Sequence, residues 1–176
     1  MTGSMIAYIS SSKIPGKTAN AIQVMKMAEA FIESGHKIIL TAIGNNEHSD
    51  QVNLKRLYGV NNIPDKFLLF PAEGRFGIYT YAIRAIISVR RLNVDIVYTR
   101  SIVIATLSTL FGLSTFLECH APPQRIEKLF WQILTNAPKF KRLILISNAL
   151  YKIMSQNLPQ NKKFEVIIAH DGVDLK

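Results

Sequence analysis

Phe116-Leu117-Glu118-Cys119-His120-Ala121-Pro122-Pro123 is the stretch whose reading decides the fold. The apolar run over residues 114–119 reads as a buried strand. Pro122 and Pro123 have no N–H to give to a ladder, so the strand must end by His120. His120 therefore stands at the carboxyl end of a strand. If the sheet is parallel, that end is where open α/β sheets bind their ligands. The question passes to the rest of the chain.

Working outward, short β-rich runs recur at residues 5–10, 37–43, 66–70, 95–99, 142–146 and 164–169. Helical patterns separate them at residues 19–34, 51–58, 76–92, 101–111 and 126–136, and from a Ser147 cap to about residue 157. Polar loops are expected at residues 11–18 and 45–50. In the first helix Thr18 or Asn20 is the expected cap. Ile22, Met25, Ala28 and Ile32 are its expected core face, and Gly35 its stop. Strands separated by helix-length connections imply βαβ crossovers. Continuous apolar strands imply a sheet covered on both faces. The expectation is one Rossmann-like α/β domain, with a mainly parallel sheet of about seven strands and helices on both faces.

Length agrees. The chain has 176 residues, enough for one substantial core, and 48% of them are hydrophobic. Met1-Thr2-Gly3-Ser4 reads as a tag remnant, residues 5–169 as the domain and residues 170–176 as the start of an interdomain linker. Residues 101–117 are uncharged, but Gly112 and five Ser or Thr residues break the apolar length that a membrane span needs. A buried helix followed by a buried strand accounts for them better. Cys119 is the single cysteine, which excludes an internal disulfide and a cysteine-rich zinc site. With no visible signal peptide, a reducing cytoplasmic location is expected.

The net charge is +9. An anionic partner suits this excess: a phosphorylated ligand, an acidic lipid surface or nucleic acid. Solubility alone is the plainer account. No nucleic-acid-binding motif appears, so nucleic acid is not expected as a partner. The segment over residues 76–92 mixes aromatic, aliphatic and basic residues, with Arg84, Arg90 and Arg91. It matches a membrane-surface helix or an ordinary packed helix with an arginine rim.

Ser11-Ser12-Lys13-Ile14-Pro15-Gly16-Lys17-Thr18 misses a phosphate-cradling P-loop by one glycine, at Ser11. The dinucleotide fingerprint is absent as well. A weaker expectation stands: Gly16 permits close backbone approach, and the helix start after it favours an anion. Arg100 directly follows the fourth strand and is expected on the same edge as His120. It is a ligand contact or a plain surface arginine. His120 is a site residue or a capping histidine bonded to a backbone carbonyl. His36, His48, His120 and His170 are scattered, so no protein metal site is expected. Cys119 and His120 point to opposite faces of a strand, which excludes a thiol–imidazole nucleophile pair.

The order of these motifs resembles a known family. The segments are Ala19-Asn20-Ala21-Ile22-Gln23-Val24-Met25, Ser34-Gly35-His36-Lys37-Ile38, the run from Asp95 to Arg100, and Leu117-Glu118-Cys119-His120-Ala121-Pro122. Leu143-Ile144-Leu145-Ile146-Ser147 and Ala169-His170-Asp171-Gly172-Val173-Asp174 continue the series. Together they resemble the N-terminal domain of retaining family-4 GT-B glycosyltransferases. Two departures stand out: Pro15-Gly16 replaces a glycine pair, and His170-Asp171 replaces Pro-Asn.

The resemblance implies an acceptor-side domain of an enzyme that moves a sugar from a nucleotide-sugar donor. The acceptor is a carbohydrate, a lipid-linked molecule or another small molecule. A C-terminal domain would bind most of the donor, and this half alone would be inactive. By the same resemblance His120 is the catalytic residue, and Gly16, Lys17, Asn20, Arg100 and Glu118 contact substrate. Neither a cofactor nor a metal is implied. Peripheral attachment at the inner membrane face is a further expectation. The rival is a complete, non-catalytic α/β domain that binds a nucleotide or another anion.

Overall fold

The computed structural model describes residues 3–44, 51–156 and 158–170. The expected loop at 45–50 and all but the first residue of the expected linker lie outside these. Along the described chain run β1 (Met5–Lys13), α1 (Ala19–Glu33), β2 (Lys37–Ile43), α2 (Gln51–Tyr58) and β3 (Lys66–Phe70). Then come α3 (Gly77–Arg90), β4 (Ile96–Thr99), α4 (Ile102–Leu110), β5 (Thr115–Cys119), α5 (Glu127–Asn136), β6 (Phe140–Leu145), α6 (Asn148–Ser155) and β7 (Glu165–Ile168). The strands form a seven-stranded sheet in the order β3-β2-β1-β4-β5-β6-β7. The β1–β2, β2–β3, β5–β6 and β6–β7 pairs are all parallel. This is the Rossmann-like α/β class that the alternation predicts. By contacts the chain divides into two compact units, Met1–Val97 and Tyr98–Lys176.

In the first unit β2 has five consecutive buried residues, Ile38 to Ala42. Successive strand side chains point to opposite faces, so both faces of β2 are covered. Helix α1 starts at Thr18, whose Oγ1 accepts the Ala21 N–H at 3.2 Å. It stops at Gly35, which takes φ +85°, a conformation that costs glycine little. The buried face of α1 differs from the expected one. Ala21, Val24, Met25, Ala28 and Glu29 are buried, whereas Ile22 is 41% exposed and Ile32 is half-buried. The face is turned by about one residue, because Glu29 is drawn inward. Its Oε1 accepts the N–H groups of Asn61 and Asn62 at 2.5 and 3.2 Å, and satisfied in this way it is tolerated in the core.

Strand β1 also departs from expectation, continuing past Ser10 to Lys13. Burial alternates from Ser10 to Ile14, which is strand periodicity. Hydrogen bonding makes the buried serines acceptable. Ser10 Oγ accepts the Ser12 N–H at 3.1 Å, and Ser12 Oγ accepts from Asn20 Nδ2 at 2.7 Å. Helix α3 locks onto the same strand through Tyr81. Its hydroxyl donates to the Ser10 carbonyl at 2.5 Å and lies 3.0 Å from Thr41 Oγ1.

In the second unit Leu117, Cys119, Leu143 and Leu145 pack with Trp131, Leu134 and Phe140 into one apolar cluster. Phe140 and Phe164 stack with ring centroids 4.5 Å apart. The uncharged segment over residues 101–117 resolves into α4 and β5, with Ser101 capping α4. No helix among the described residues is long and apolar enough to cross a membrane.

Candidate functional site

At the end of β5, alternation places Glu118 and His120 on one face and Cys119 on the other. Cys119 goes into the core, 3% exposed, with its Sγ 3.0 Å from the Ala121 carbonyl oxygen. Burial, helped by the Glu127 charge, pushes its thiol up to about 11. It is a packing residue, not a nucleophile.

The other face carries a network. At the end of β4, Tyr98 and Arg100 repeat the two-residue spacing of Glu118 and His120. Glu118 is 5% exposed. Its Oε2 accepts the Tyr98 hydroxyl, and its Oε1 pairs with His120 Nε2 and lies 3.2 Å from Arg100 Nε. Arg100 also meets the ring, with Nη2 3.0 Å from His120 Nδ1 and Nε 2.8 Å from Nε2. One tautomer serves these contacts best. A proton on Nε2 is given to Glu118, and the bare Nδ1 accepts from Arg100 Nη2. Arg100 Nε then faces the carboxylate as its counter-charge.

The arrangement explains how a carboxylate stays buried. Two charge-assisted hydrogen bonds and a tyrosine hydroxyl replace its water. Chemically, Glu118 acts through its neighbours. It was expected to touch substrate, but its oxygens are taken up by Tyr98, His120 and Arg100, so its place is that of a positioning residue. The Arg100 and His120 side chains remain 19% and 26% exposed. They present a cation beside an oriented imidazole, a pairing suited to an oxygen-rich or anionic group. His120 is not held by a backbone carbonyl in any contact seen here.

The remaining expected site residues lie in the first unit. Gly16 is not an open anion cradle. Its N–H donates to the Tyr58 hydroxyl at 2.8 Å, and the same hydroxyl donates to its carbonyl at 3.0 Å. A Cβ on Gly16 would stand 2.6 Å from the Lys13 carbonyl oxygen. The close approach that glycine permits is therefore to this protein's own backbone. Lys17 and Asn20 are exposed, and Asn20 holds Ser12. Beside this loop, the residues that follow β1, β2 and β3 line a cavity of about 490 Å³. Ile14, Pro15, Ile43 and Pro71 supply its apolar wall, and Lys13 and Glu73 its charges. Among the described residues, no group of three or more His, Cys, Asp or Glu side chains is placed to hold a metal.

Sequence reasoning missed Tyr98 and Tyr58. Tyr98 was legible in the strand period it shares with Arg100. Tyr58 lies 42 residues from Gly16, and nothing local announces the contact.

No protein-family model matches the chain, and no curated protein is similar to it in sequence. Among solved structures, the UDP-N-acetylglucosamine 2-epimerase from Rickettsia bellii superposes with a TM-score of 0.60 at 16% identity, over 93% of this chain and 44% of that one. The kitacinnamycin glycotransferase gives 0.48 at 8% identity, over 98% of this chain and 53% of that one. The chain thus spans about half the length of each. The first likeness establishes the fold: a Rossmann-like domain of the GT-B kind.

Proposed function

We propose that this domain is the N-terminal, acceptor-side half of a retaining family-4 glycosyltransferase. A donor-binding domain outside these 176 residues would complete it. The observation that carries the reading is the Arg100–Glu118–His120 network, set at strand ends where α/β sheets bind ligands. The fold likeness to a nucleotide-sugar enzyme supports it. In this reading His120 contacts the donor sugar, and Arg100 faces an anionic part of donor or acceptor. The cavity beyond β1, β2 and β3 takes the acceptor, and Lys17 and Asn20 stand at the loop nearest to it in sequence. The reaction needs no protein-bound metal or cofactor. The location is cytoplasmic, with peripheral contact at the inner membrane face.

Two sets of assays test this. The 176-residue chain, offered a panel of nucleotide sugars and acceptors, is expected to transfer nothing, because one wall cannot position both reactants. The two-domain protein is expected to transfer sugar with retention of anomeric configuration, read by NMR of the product. Transfer by the isolated chain, or inversion by the two-domain protein, overturns the assignment. In the two-domain protein His120→Ala should keep the melting temperature and lower kcat. Lost stability with normal turnover removes His120 from the site.

A second reading, a non-catalytic domain for a nucleotide or other anion, has one observation in its favour: both ring nitrogens of His120 are already engaged. Anion binding by the chain, with no transferase activity in the parent protein, would select it.

A further inference from the structure

A cavity of about 380 Å³ lies in the second unit, away from the residues of the network. Pro122, Pro123, the α5 residues Lys128, Trp131 and Gln132, and Met154 of α6 line it. Its volume falls in the range of small-molecule sites. One wall residue is incompletely satisfied. Trp131 is 4% exposed, and its Nε1–H is buried with no hydrogen-bond partner among the described residues. An indole N–H only donates, and a buried donor left unpaired costs free energy.

The rest of the lining narrows the partner. Lys128 brings one cation and only donors, and Gln132 brings an amide. No described lining residue is acidic. Pro122, Pro123 and Met154 are apolar, and the thioether adapts to irregular shapes. A matching ligand carries acceptor oxygens, a single negative charge and a short hydrocarbon body. We propose that this cavity binds a small organic carboxylate. Its oxygens take the hydrogen bonds of Trp131 Nε1–H and Lys128, and its hydrocarbon lies on Pro122, Pro123 and Met154. Inorganic phosphate offers more charge than one lysine balances, and no body for the apolar wall. The site shares no residue with Arg100, Glu118 and His120 and does not depend on the sugar-transfer reading.

Trp131 is the only tryptophan in the chain, so indole fluorescence and the single indole N–H resonance report on this cavity alone. The chain is titrated with hexanoate, and with hexanol and inorganic phosphate as controls. Hexanoate is expected to move the indole N–H resonance downfield and to saturate, while both controls leave it in place. Lys128→Met, at an exposed position, should weaken hexanoate by about three- to tenfold. Trp131→Phe should weaken it by about tenfold, read by calorimetry. No saturable response to hexanoate, or an equal response to hexanol or phosphate, overturns the proposal. If Trp131→Phe does not fold, Lys128→Met decides: unchanged affinity overturns the anchoring, and the expected loss sustains it.

Discussion

Arg100 Nη2 stands 3.0 Å from His120 Nδ1, across a gap of twenty residues. The pair holds its geometry because Glu118, buried between them, answers both. Arg100 supplies the charge that the carboxylate needs, and His120 supplies a proton on the other ring nitrogen. Orientation of the imidazole is thus a property of three side chains and of the Tyr98 hydroxyl beneath them.

This network should be measurable as stability. Tyr98→Phe removes one donor from a buried carboxylate and is expected to cost about 1–2 kcal/mol. Glu118→Gln removes the charge that Arg100 and His120 face and should cost about 1–3 kcal/mol. The double variant should lose less than the two single losses combined, because both act on one network. Urea unfolding of the four proteins checks this. Strict additivity, or losses below about 0.5 kcal/mol, would show that the contacts do not hold the site.

Alkaline pH should weaken the domain through Cys119. Its thiol is raised from 9.0 to about 11 by burial. A raised value means that the native state holds the proton more tightly than the unfolded chain does. The stabilisation is fully present below about pH 9 and is lost as pH climbs from there toward 11. Denaturation midpoints at pH 8 and pH 10.5 should fall further apart in the parent protein than in Cys119→Ala. Iodoacetamide at pH 8 should leave the native thiol unmodified, and rapid native-state alkylation would contradict its burial.

The Gly16 loop depends on Tyr58. Tyr58→Phe removes the hydroxyl that bridges the Gly16 N–H and carbonyl, at a cost of about 1 kcal/mol. Gly16→Ala places a Cβ 2.6 Å from the Lys13 carbonyl oxygen and forces the backbone to shift. Its cost should be larger, about 1–3 kcal/mol. Thermal melts rank the two. Gly16→Ala at parental stability would show that the loop is looser than this packing implies.

Helix α3 carries the membrane expectation. It buries Tyr81, Ala82, Ala85, Ile86 and Val89, and it exposes Ile83, Arg84, Ile87 and Arg90, with Arg91 just beyond. Basic residues at an anionic surface contribute about 1 kcal/mol each, screened over a Debye length of about 8 Å at physiological salt. Co-sedimentation with anionic vesicles should exceed that with neutral ones, fall at high salt, and drop in Arg84→Gln/Arg90→Gln/Arg91→Gln. Equal sedimentation with both vesicle types would leave these arginines as a solvated rim.

The sequence by itself determined the α/β alternation and most of the element positions. Caps, glycine stops and prolines act within a few residues, so Thr18, Gly35, Ser101, Ser147 and the Pro122-Pro123 break could be read locally. It also placed Arg100 and His120 at strand ends, because strand termination is local. Only the tertiary structure decided what those ends do. Burial of Glu118 depends on Tyr98 and Arg100 arriving from another strand. Closure of Gly16 depends on a tyrosine 42 residues away. The turn of α1 depends on Asn61 and Asn62 reaching Glu29. Polar groups are satisfied by whatever partner packing brings within about 3 Å, and that partner is set by the fold rather than by the neighbouring sequence.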